Sequence, residues 1–116
     1  MPALLVKALD AGSRVARGAV AGPDGVLRIP LAARRVTLGR SDVCDVVVHS
    51  SRVAARESVF EATAEGWLAR SLGHTRGMVI NGQRVFSAVL RPGDVVLLPG
   101  VALEFVGDEP AEAARP

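Results

Sequence analysis

Turn-forming residues interrupt this chain roughly every eight to twelve positions, leaving apolar runs of about four to six residues between them. The clearest breaks are Gly22-Pro23-Asp24-Gly25, Asn81-Gly82, Pro92-Gly93-Asp94 and Pro99-Gly100. Gly tolerates positive φ and Pro presets the φ of a turn, so each break favours a chain reversal. A helix of ordinary length does not fit between breaks this close. The runs predict strands at Ala3–Ala8, Val26–Ile29, Arg35–Leu38, Val46–Val48, Glu57–Ala62, Trp67–Arg70, Met78–Ile80, Gln83–Phe86, Val95–Leu98 and Val101–Val106. Val46–Val48 is wholly β-branched and suits a buried strand. Residues 10–25 are rich in Gly, Ala and Arg and read as a connection. Only Val53–Phe60 briefly admits a helical period. The cadence predicts an all-β sandwich or barrel in a single domain over residues 1–106. Residues 107–116 are small, charged and Pro-bounded, and are expected to form a flexible tail suited to a linker.

Composition narrows the functional classes. Apolar residues are 49% of the 116, enough for a core without a metal or disulfide staple. Lys and Arg number 14 against 12 Asp and Glu, and a net charge of +2 is too small to mark a nucleic-acid surface. Aromatics are 3% with no Tyr, which leaves no platform for stacking bases. No run of about 18 apolar residues is present, so no membrane insertion is expected. The first residues lack the basic start and long apolar run of a signal peptide. The single cysteine, Cys44, cannot form an internal disulfide and lies in an apolar run, where it reads as a buried small hydrophobe. A cytoplasmic location is expected.

The motifs of catalysis are missing. His49 and His74 lack acids or thiols at metal-ligand spacing, so no metal and no cofactor is expected. Ser50, His49 and Asp45 make a triad on paper, without the nucleophile-elbow motif. Gly73 and Gly77 read as turn glycines, because no Gly-Lys-Ser/Thr follows them. Trp67 lies in a strand run and is expected in the core. The chain is not expected to be an enzyme.

Five blocks fall in order along the chain. They are Leu38-Gly39-Arg40-Ser41, Asp45-Val46-Val47-Val48, Val53-Ala54-Ala55-Arg56-Glu57, the stretch from Leu72 to Gly82, and Leu90-Arg91-Pro92-Gly93-Asp94-Val95-Val96. Together, over about residues 3–106, the blocks resemble the forkhead-associated (FHA) family. The resemblance implies a β-sandwich of about eleven short strands, with loops at one end that bind phosphothreonine peptides through an Arg and short hydroxyl donors.

The resemblance assigns roles position by position. Arg40 falls at the phosphate-contacting Arg, with Ser41 beside it. Ala54 falls at the phosphate-contacting Ser, Glu57 at a loop-ordering His, and Arg76 at the Asn that holds the peptide backbone. His74 replaces a small Ser, Thr75 matches the loop Thr, and Asn81 matches a second Asn. A charge-assisted hydrogen bond contributes about 1.5–3 kcal/mol, so losing two forfeits about 3–6 kcal/mol. That is roughly a hundred-fold to ten-thousand-fold in affinity. Glu57 is expected to place a carboxylate near the phosphate position, where like charges repel. Arg40 either holds an anion or pairs with Glu57. Arg52, Arg56 and Arg76 either gather with Arg40 into a basic mouth or are solvated loop residues. Were they to gather, Ser50, Ser51 and Thr75 would offer substitute hydroxyls.

The reading that follows is a signalling adaptor or scaffold that binds a protein partner without phosphothreonine. One alternative is a revised phosphopeptide reader whose partner is a kinase-linked phosphoprotein. The other is an assembly component able to form homo-oligomers.

Overall fold

The computed structural model describes residues 1–72 and 77–107. Thirteen strands occupy them: β1 (Ala3–Leu9), β2 (Arg14–Arg17), β3 (Val20–Ala21), β4 (Leu27–Pro30), β5 (Arg35–Gly39), β6 (Val46–His49), β7 (Ser58–Thr63), β8 (Gly66–Ser71), β9 (Met78–Ile80), β10 (Gln83–Val85), β11 (Ser87–Val89), β12 (Val95–Leu98) and β13 (Val101–Val106). Among the described residues there is no helix, and so none long and apolar enough to cross a membrane.

The strands form two sheets. A seven-stranded sheet runs β10-β9-β12-β13-β1-β4-β3, and a six-stranded sheet runs β11-β8-β7-β5-β6-β2. The chain changes sheet at both edges of the sandwich, between β2 and β3 and between β10 and β11. Each pair of open edges is thereby joined by a covalent corner, which shortens the exposed edge strands.

Alternation places the core. In β13 the odd residues Val101, Leu103 and Phe105 are buried while their neighbours are half-buried. Leu4, Ile29, Met78, Val96 and Leu103 meet Val36, Leu38, Val46, Val48 and Phe60 in one cluster. Trp67 is half-buried and packs on that cluster's margin.

The fold is all-β, as the turn cadence predicts, with three strands beyond the expected runs. Two of them, β2 and β3, lie in the stretch read as a connection. The third is β11, because the single return strand expected at Gln83–Phe86 breaks at Phe86. Phe86 stands at the corner where the chain leaves one sheet for the other. Neighbouring strands on a different sheet decide such breaks, and periodicity along the chain cannot register them. The stretch Val53–Phe60, with its brief helical period, forms a turn followed by the start of β7.

Asn81-Gly82 turns the β9–β10 hairpin, with φ of 51° and 86°. Both residues have positive φ, which the twist of a two-residue hairpin favours. The Asn81 side chain also clamps this hairpin to the 91–95 turn. Its Nδ2 donates to Asp94 Oδ1 at 2.8 Å, and its Oδ1 accepts from the Val95 N–H at 3.1 Å.

The β5–β6 pair is parallel, with Leu38 opposite Val46 and Gly39 opposite Val47. Parallel neighbours usually need a crossover of a dozen or more residues. Here residues 40–45 alone connect them, folding back over the outer face of the six-stranded sheet. Gly39 makes the fold-back possible. A Cβ there would sit 2.2 Å from the Ala55 carbonyl oxygen and 2.9 Å from Cys44 Sγ.

Gly39→Ala is therefore expected to lower stability by about 1–3 kcal/mol, the range of overpacked sites, or by more where backbone must move. Urea denaturation of the two proteins measures it. An unchanged midpoint would show that residues 39 and 55 are not in contact.

Candidate functional site

Backbone hydrogen bonds lay the end of β5 beside the turn that precedes β7. The Arg40 N–H donates to the Ala54 carbonyl at 2.9 Å and the Ser41 N–H to the Ala55 carbonyl at 3.0 Å. The Glu57 N–H returns to the Leu38 carbonyl at 2.9 Å, and the Leu72 N–H reaches the Glu57 carbonyl at 3.0 Å. The 40–45 and 50–57 loops and the end of β8 thus meet at one end of the sandwich.

Inside that meeting point Glu57 is fully buried. Its Oε1 accepts the Ala54 N–H at 2.9 Å and holds the turn three residues ahead of it. The expected placement of this carboxylate toward a phosphate is corrected, since the side chain points beneath the loop. The Arg40–Glu57 pair is absent too: Arg40 is exposed, and no ion pair joins it to Glu57.

The expected basic mouth is not assembled from Arg52. Its guanidinium binds Asp10 at 2.7 Å, beside β12 and β13 on the other sheet. Ser50 is also removed as a substitute hydroxyl. It is buried, its Oγ accepts the Arg52 N–H at 3.2 Å, and it faces Gly100 so closely that a Cβ there would lie 2.9 Å from it. Ser51 is exposed at the loop's tip. Ala54 is half-buried and offers only backbone groups. Asn81 is committed to the hairpin clamp described above, and so serves structure. His74, Thr75 and Arg76 lie outside the described residues, as does the tail beyond Gly107.

What the structure does gather is a cleft on the outer face of the six-stranded sheet. It has a volume of about 800 Å³ and is lined by Arg35, Ser41, Val43, Ala54, Ala55, Arg56 and Leu72. A deeper branch shares Arg35, Val43, Arg56 and Leu72 and reaches Thr37, Cys44 and Asp45. Its floor follows from register. Thr37 pairs with Val59 and Gly39 with Val47, so these residues point away from the core. Val47, Val59 and the loop residue Cys44 are nevertheless buried, outside the main core cluster, and form a small second apolar layer. Cys44 Sγ donates to the Ala55 carbonyl at 3.3 Å. Burial pushes the Cys44 thiol up, and the positive charge of Arg56 opposes that shift.

The loop over this layer is fixed at several points. Arg17 donates through one nitrogen to the carbonyls of Asp42 and Cys44. Asp45 Oδ2 accepts from the Thr37 N–H at 2.9 Å and its hydroxyl at 3.1 Å. Ser41 Oγ accepts the Val43 N–H at 3.3 Å, which leaves its own proton free to donate outward. Arg35, Val43 and Leu72 were missed as site residues from sequence. Only the outward register of Arg35 and Thr37 on β5 signals their face. Among the described residues no three His, Cys, Asp or Glu side chains converge as a metal site.

Two sheets joined at both corners, with loops 40–45 and 50–57 crowning one end, define an FHA-type sandwich, and solved FHA domains superpose on it. Mycobacterium tuberculosis EmbR, solved in complex with a low-affinity phosphopeptide, is 19% identical with a TM-score of 0.66, over 90% of this chain and 24% of EmbR. The FhaA FHA domain, complexed with the intracellular domain of Rv3910, gives 18% identity and 0.67 over 90% and 99% of the two chains. The FHA domain of Chlamydia trachomatis CT664 gives 17% and 0.65 over 90% and 96%. No curated protein matches the sequence. Residues 18–109 match the family described as the cytoplasmic domain of the inner membrane component of the type III secretion system (T3SS), and the chain belongs to that family.

Replacing Glu57 tests its hold on the loop. Glu57→Ala is expected to cost at least about 1–3 kcal/mol, the penalty for an N–H left without its acceptor. Glu57→Gln keeps an acceptor at the same place and is expected to cost less. Equal losses in denaturant titrations would show that the Ala54 contact contributes nothing.

Proposed function

We propose that the chain is a protein–protein interaction module of FHA type that engages its partner without phosphothreonine. The observation that carries this reading is Ala54, with no hydroxyl, at the turn bonded to the Arg40 backbone. Three further features support it. Ser50 is turned to Gly100 and does not stand in for the missing hydroxyl. Glu57 spends its carboxylate on loop structure. Arg52 is paired elsewhere, which leaves Arg40 without that neighbour. In this reading the contact face comprises Arg40, Ser41 and residues 54–56.

The test is titration with a library of phosphothreonine peptides and their unphosphorylated counterparts, followed by isothermal calorimetry. No preference for the phosphorylated form is expected. Ala54→Ser combined with Arg76→Asn is expected to create one, of roughly a hundred-fold or more. Tight phosphate-dependent binding by the unaltered chain that vanishes in Arg40→Ala would overturn the reading in favour of a revised phosphopeptide reader, phosphopeptide being the ligand in the EmbR complex.

A second reading is favoured by the family itself, described as the cytoplasmic part of an inner-membrane component. On it the chain works at the cytoplasmic side of a membrane-held assembly, in several copies. Light scattering at rising protein concentration checks this: self-association is expected to raise the mass above the 12.1 kDa of one chain. A constant monomer mass leaves only the adaptor.

A further inference from the structure

The partner's chemistry is written in the outer-face cleft. We propose that this cleft binds an extended, unphosphorylated peptide segment in which an acidic residue neighbours a bulky aliphatic one. The proposal rests on the phosphothreonine-independent reading above and names what takes the phosphopeptide's place.

Arg56 is the first reason. Two arginines line the cleft, and one of them already has an acceptor: Arg35 shares Glu61 with Arg70, at 3.6 and 3.1 Å. Arg56 is exposed, lines both branches of the cleft, and has no hydrogen bond or ion pair among the described residues. The acid in the deeper branch, Asp45, makes no ion pair with it and is bonded through Oδ2 by the Thr37 N–H and hydroxyl. A carboxylate entering from outside therefore meets a guanidinium with its donors open, and the Ser41 hydroxyl with its proton unused.

The apolar walls are the second reason. Val43 is 70% exposed and Leu72 is 38% exposed, and both line the two branches. Val43 tops a loop that is pinned from below, so its exposure is built into the fold. Ala54 and Ala55 keep the opposite wall low. An aliphatic side chain set between Val43 and Leu72 would remove apolar surface on both from water. The acid supplies orientation and the aliphatic supplies area, the usual division in a small recognition site.

The floor is the third reason. Cys44 lines the deeper branch, is buried, and is held by its bond to the Ala55 carbonyl, so that part of the base is packed before a ligand arrives. Little ordering is then needed on binding.

Panning a random library of unphosphorylated dodecapeptides on the immobilised chain tests this. Recovered sequences are expected to carry Asp or Glu next to Leu, Ile or Val. Their affinity is expected to fall at least tenfold in Arg56→Glu and in Leu72→Ser. Arg91→Glu, an equal charge change at a distant turn, is expected to leave it within twofold. Arg56 and Leu72 are partly or wholly exposed, so thermal midpoints should stay level and show that the variants fold. Recovery of no sequences, of sequences without an acidic preference, or of binders indifferent to Arg56→Glu would overturn the proposal. Phosphopeptide binding through Arg40 would defeat the broader reading instead, and the Arg56→Glu comparison would still decide the cleft.

Discussion

The close approach of Gly39 to Ala55 is the constraint on which the binding end depends. Two loops that meet with a carbonyl oxygen where a Cβ would go leave no room for any side chain at position 39. That contact lets six residues join two parallel strands, and it presses residues 40–45 onto the outer face of the sheet. The backbone bonds from Arg40 and Ser41 to the opposite turn follow from the same approach. Without it there would be neither a covered second apolar layer nor a cleft above it.

Glu57 completes the same region from inside. Burying a carboxylate is costly unless it is hydrogen-bonded. Here one of its two oxygens is placed where a turn N–H needs an acceptor, so the side chain satisfies a backbone donor of the turn. The resemblance to the FHA family assigns a loop-ordering role to this position. A different residue type carries that role in this chain, and it does so from beneath the loop.

Much of the fold was legible in the residues. Val46–Val48, Met78–Ile80 and Val95–Leu98 are strands because β-branched and aliphatic runs bounded by turns suit little else. Asn81-Gly82 announced its hairpin, and it turns there. The strands β2 and β3 were not legible, because a single Val among Arg and Ala, in a stretch broken by Gly12, Gly18 and Gly22, makes no strand-length run, and they pair there with β6 and β4. The site was legible in part. Arg40, Ser41, Ala54 and Glu57 fall together as their order implied, whereas Ser50 and Arg52, though close in sequence, face Gly100 and Asp10. A turn's direction decides which neighbours share a face, and no local pattern in 50–53 encodes it.

The sequence by itself determined the class of structure and the chemistry available at each loop position. Turn spacing and strand propensity are local properties, and the identity of a side chain at a position is simply read. Only the tertiary structure decided which of those side chains share a surface. Arg35 from a strand, Val43 and Arg56 from two loops and Leu72 from a strand's end are brought to one cleft by cross-strand register and by the fold-back at Gly39. Register is a relation between distant segments, fixed by core burial on one face of a sheet, and its consequence on the other face appears only when the sheet is assembled.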